Sequence, residues 1–101
     1  MKSPVPPFLE RIQTETRATR ERMARELFGL DAVRGAVASA AAKGLDLVAL
    51  RPPLPVDLRE TQAARAAVKH LRDSGFSTEW ESYMGETDGR RDTGWELRVT
   101  W

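Results

Sequence analysis

Cysteine is absent from the chain, and histidine occurs once, at His70. The first absence removes disulfides, thiolate nucleophiles and thiolate metal sites together. It accords with a reducing compartment. The second leaves general acid–base chemistry a single imidazole. His70 sits beside an apolar helical face, where a histidine is more often a packing residue than a catalyst. No Gly-x-Ser-x-Gly elbow and no His-x-x-x-His pair is present. No catalytic residue, metal ligand or cofactor is therefore expected, and the chain reads as a non-enzyme. Charge of one sign is also lacking, because the formal net charge is +1. A dedicated nucleic-acid binder shows a clearer basic excess, so that role is disfavoured. No apolar run approaches bilayer-spanning length, and Met1–Phe8 lacks the apolar segment of a signal peptide. The expectation is a cytoplasmic protein that does not meet a membrane.

Glycine and proline are few enough to punctuate clearly. Pro4, Pro6 and Pro7 make residues 1–7 an extended arm, and residues 8–101 form one domain. Residues 8–28 hold no glycine or proline and are rich in helix formers. Leu9, Ile12, Thr16, Thr19, Met23 and Leu27 form a narrow stripe on that helix. So narrow a seam suits either a surface helix across the core or one that pairs with a partner or with its own copy. The candidate protein-binding residues are Leu9, Ile12, Met23 and Leu27. Gly29 breaks the helix, and Asp31 is placed to cap a second, alanine-rich helix that stops at Gly44.

Leu45–Leu50 is a short apolar run halted by Arg51-Pro52-Pro53, which reads as a strand. Asp57-Leu-Arg-Glu60 has the form of a capping box and predicts a helix from Asp57 to about Ser74. Phe76–Tyr83 and Trp95–Trp101 alternate in polarity, as half-buried strands do. Asp88-Gly89 is the dipeptide of a two-residue type I′ turn. A turn there pairs Phe76 with Trp101, Thr78 with Val99, Trp80 with Leu97 and Ser82 with Trp95, all on one face. On the other face Glu79 meets Arg98, and Glu81 meets Glu96 with repulsion. The fold expected is α+β: helix-helix-strand-helix-strand-strand, a two-layer sandwich on a three-stranded sheet in order 1-3-2.

The stretch from Met84 to Trp95 holds three glycines and the pair Arg90-Arg91. It leads into a strand and lacks a closing Gly-Lys-Ser/Thr, so it is neither a phosphate loop nor a dinucleotide fingerprint. It reads as a hairpin tip that offers two arginines to an anion or a protein. A nucleotide would need a stacking surface and anion donors. Tyr83, Arg90, Arg91 and Arg98 are the candidate ligand-binding residues, because the tryptophans belong to the core face.

Residues 31–101 resemble small α+β accessory proteins of tailed phages and large DNA viruses. The resemblance rests on the alanine-rich helix ending at Lys43-Gly44, the strand Leu47-Val48-Ala49-Leu50, the segment Leu71-Arg72-Asp73-Ser74-Gly75-Phe76, and the final strand ending at Trp101. It implies a phage protein in the cytoplasm of a bacterial host, one that inhibits a host or defence protein. Some members of that class sequester nucleotide signals instead. Separately, a homo-oligomer is expected if the first helix or a sheet edge pairs with its own copy. The resemblance transfers no site residue.

Overall fold

A computed structural model describes residues 6–101. The expected arm at residues 1–7 lies mostly outside the described residues, and Pro7 already belongs to the first helix. The elements run α1 (Pro7–Phe28), α2 (Leu30–Ala42), β1 (Leu47–Leu50), α3 (Gln62–Asp73), β2 (Ser77–Thr87) and β3 (Arg90–Thr100). The fold is α+β, with three helices on a three-stranded antiparallel sheet of order β1-β3-β2.

The hairpin register is the one the turn chemistry requires. Asp88 and Gly89 take φ of 52° and 76°, the left-handed pair of a type I′ turn. Counting back from it, Trp80 pairs with Leu97 and Thr78 with Val99. β3 lies in the middle and is paired along both sides. Leu97 and Val99 are fully buried there, opposite Leu50 and Val48 on the other side. The helices close this face with Ala24 and Phe28 from α1, Val33 from α2, and Ala64, Ala67 and Leu71 from α3. Phe28 meets Trp80 edge to face at 5.7 Å between ring centres.

Two local expectations are corrected. The third helix starts at Gln62 rather than Asp57, and its cap is Thr61, whose hydroxyl accepts from the Ala64 N–H. Asp57 is engaged elsewhere: its carboxylate accepts from the Arg59 N–H at 3.1 Å and from the guanidinium at 2.8 and 2.9 Å. Residues 58–60 are held in that turn, with Leu58 buried beneath it. Asp31 makes no side-chain cap for α2, whose N-cap is Gly29. A Cβ at Gly29 would stand 2.6 Å from the Arg25 carbonyl oxygen. Glycine is what lets α1 turn so closely into α2.

The second sheet face is less open than its mixed polarity suggests. Arg51, just past β1, reaches over it to pair with Glu96 at 3.0 Å and to cover the Tyr83 ring at 4.1 Å. Glu96 is only 8% exposed. Glu81 turns to Arg98 at 2.5 Å. The expected repulsion between Glu81 and Glu96, which are indeed register partners, is thus relieved by a separate arginine for each.

Candidate interaction surface

Half of α1 stands clear of this core. Every residue from Pro7 to Ala18 is exposed, while Met23, Ala24, Leu27 and Phe28 pack onto the core. The seam therefore divides. Phe8, Leu9 and Ile12 are 68, 46 and 38% exposed. Met23 and Leu27 are half-buried against their own domain. Of the four candidate protein-binding residues, Leu9 and Ile12 are exposed, Met23 is half-buried at the edge of a groove, and Leu27 packs on its own domain. Phe8, which the seam omitted, is the most exposed large apolar side chain in the helix. It lies one residue before Leu9 and four before Ile12, so the three share one side of the helix. Arg11 lies over the Phe8 ring at 5.4 Å.

The surface continues into a groove of about 350 Å³ between α1 and the Pro-rich connection that follows β1. Ile12, Thr16, Thr19 and Met23 form one wall, and Leu54 and Val56 the other. The connection is fixed in place, because the Trp95 N–H donates to the Val56 carbonyl at 3.3 Å. Leu54 is 47% exposed. An apolar ridge thus runs from the free end of α1 into a groove with a rigid far wall. Such a shape accepts an apolar side chain from another protein.

The candidate ligand residues do not converge. Arg90 and Arg91 flank the hairpin tip, with Arg90 3.7 Å from Asp92. Arg98 is paired with Glu81 near the other end of the hairpin. Tyr83 lies flat over Gly94 between Arg51 and the sheet, and its hydroxyl reaches the Leu54 carbonyl at 3.5 Å. Burial pushes the Tyr83 phenol above its ordinary value, against the nearby Arg51 cation. Its ring is covered and offers no stacking face.

Cations gather instead on α3, where the sequence reading placed no site. Arg65, Lys69 and Arg72 recur at i, i+4 and i+7, so they share one face. With Arg59, Val68 and Trp80 they line a groove of about 340 Å³ that also holds Asp73. Arg59 stacks on Trp95 at 3.6 Å and is held by Asp57, whose carboxyl is in turn kept below its usual range by the Arg59 hydrogen bonds. Lys69 pairs with Asp73 at 2.8 Å, and Arg65 with Glu60. Arg72 gives its Nε–H to the Thr78 hydroxyl at 2.8 Å and carries no carboxylate partner in this groove. The periodicity of these three cations was legible in the sequence; that β2 would lie beside them was not.

Among the described residues, no cluster of His, Asp or Glu is arranged to hold a metal ion, and no helix is long and apolar enough to cross a membrane. No protein-family model, curated protein or solved structure matches the chain.

Proposed function

We propose that the protein is a non-enzymatic protein-binding module that grips its partner with the free half of α1 and the adjoining groove. The observation that carries this reading is the run of twelve exposed helical residues bearing Phe8, Leu9 and Ile12. A helix gains most of its stability from packing an apolar face, and here that face has no intramolecular cover. The finer reading, in which the partner is a host or defence protein that is inhibited on binding, is supported by the resemblance of residues 31–101 to phage accessory proteins.

The test is a pull-down from bacterial lysate with the protein and its Leu9→Glu/Ile12→Glu variant, alongside denaturation of both. The variant is expected to lose the partner while its stability changes by no more than about 0.5 kcal/mol, as for exposed positions. Equal capture by both proteins would refute the reading.

A second reading, capture of an anionic nucleotide, is favoured by the α3 groove. Surface ion pairs are weak, so a phosphate can displace Glu60 and Asp73 from Arg65 and Lys69. Thermal stabilisation by nucleotides that disappears in Arg72→Ala is the expected sign; no stabilisation by any nucleotide would refute it.

A further inference from the structure

β2 is longer than the core requires. It has eleven residues where β1 has four, and it is an edge strand. No backbone hydrogen bond outside its ladder with β3 involves residues 77–87 among the described residues. Three of the usual blocks to edge pairing are missing as well, and the charges on the strand are Glu79, Glu81 and Glu86. The strand has no proline and no lysine, and its pairing with β3 runs through eleven consecutive positions without a bulge. Met84 is 64% exposed on it.

We propose that this edge is the interface with a second copy of the chain, paired antiparallel about a two-fold axis at Ser82 to make one continuous six-stranded sheet. The backbone sets which residues can pair. Thr87 and Arg90 flank a two-residue turn, and such a flanking pair exchanges both of its hydrogen bonds. Odd-numbered residues of β2 therefore bond to β3, and Thr78, Trp80, Ser82, Met84 and Glu86 aim their N–H and C=O groups outward. A symmetric pairing must match even residues with even residues.

The side chains then choose the register. A two-fold at Trp80 would oppose Glu79 and Glu81, and one at Glu81 would oppose that residue to itself; both are penalised. A two-fold at Ser82 opposes no glutamate to another. It is also the midpoint of Ser77–Thr87, so every residue of the strand is used and about ten interchain backbone bonds form. In that register Met84 faces the partner's Trp80, which covers the exposed thioether with a half-buried ring. Thr78 faces the partner's Glu86. Arg72, already on the Thr78 hydroxyl, then meets that carboxylate. Each contact occurs twice, as an isologous interface requires. Directly opposed residues point to the same side of a sheet, so both helix layers lie on one face and do not collide with the strands.

The absence of cysteine makes the test direct. Ser82→Cys places two thiols across the axis on Cα atoms about 5.5 Å apart, within disulfide reach. It is expected to give a covalent dimer under mild oxidation, whereas Glu79→Cys, which faces Gly85, does not. In sedimentation the wild-type chain is expected at twice its 11.3 kDa mass. Ser82→Pro, which removes an outward N–H and spares the β3 ladder, is expected to be a folded monomer. Arg72→Glu or Glu86→Arg is expected to weaken the dimer about tenfold, since two pairs are lost, and the double exchange to restore it. A wild-type monomer up to high micromolar concentration, or a dimer without the Ser82 cross-link, overturns the proposal. So does a dimer abolished by Leu9→Glu/Ile12→Glu, which would move the contact to α1 and leave the protein-binding reading standing.

Discussion

Phe8 and Phe28 occupy opposite ends of one uninterrupted helix, and their surroundings could hardly differ more. Phe28 is 3% exposed and packs edge-on against Trp80, while Phe8 is 68% exposed. Residue type does not separate them. The platform does: 22 residues of helix run about 33 Å, and three strands at about 4.8 Å spacing cannot cover that length. Whichever end of α1 lies over α3 and the sheet is core, and the other end is surface. The hairpin repeats the pattern, with Leu97 and Val99 buried at its base and Met84 exposed toward its tip. The two projections account for a radius of gyration of 16.0 Å where about 13 Å is usual for this length. Apolar residues on a projection have no part in the core, and that makes them candidates for contact with other chains.

The sharpest way to break this comparison is to truncate both phenylalanines. Phe28→Ala is expected to cost about 3–5 kcal/mol in chemical denaturation, as buried aromatics do. Phe8→Ala is expected to cost no more than about 0.5 kcal/mol. Similar losses at the two sites would mean that the free half of α1 packs onto its own domain in solution.

A smaller effect is expected at Gly94. A Cβ there would stand 2.5 Å from the Tyr83 ring, so Gly94→Ala must displace the ring from beneath Arg51 at a cost of about 1–3 kcal/mol. Gly89→Ala at the hairpin tip is strained only by its own backbone, since nothing lies near its Cβ position. Its cost is expected to be about 1 kcal/mol. Thermal unfolding of the two variants ranks them, and the reverse order would show that the sheet face around Tyr83 is loosely held.

The smallest effect concerns pH. Asp57 has a lowered pKa in the folded state because Arg59 donates to its carboxylate. Its stabilising contribution is therefore fully present above its unfolded value of about 3.9 and fades as pH falls through the folded value. Asp57→Asn is expected to lower the melting temperature slightly at pH 7, and the gap to wild type is expected to shrink as pH falls through the folded value. A gap that persists at the acid end would assign the loss to the turn geometry of residues 57–59 rather than to charge.

Much of the fold was legible along the chain. Asp88-Gly89 determined the hairpin register, because a two-residue turn with two positive φ angles leaves little freedom in which residues oppose one another. Alternation from Phe76 to Tyr83 and from Trp95 to Trp101 determined which face is buried. Gly29 and the Pro52-Pro53 pair determined where elements stop. These are local effects of backbone sterics and side-chain period, and local effects can be read from local sequence. The start of α3 was misread for a reason that is only partly local: Asp57 and Glu60 satisfy the capping pattern, yet the Asp57 carboxylate is taken by Arg59, whose guanidinium is stacked on the distant Trp95.

The interaction surfaces needed the tertiary structure. The stripe from Leu9 to Leu27 is continuous in sequence, and only the extent of the platform beneath it divides it between core and solvent. Tyr83 and Arg98 looked available on a polar sheet face until Arg51 and Glu81 were seen to engage them. The α3 cations were periodic but had no floor until β2 brought Trp80 and Thr78 alongside. Sequence determined which residues share a face. Only the packing of those faces, which depends on contacts between residues far apart in the chain, decided which of them were left for another molecule.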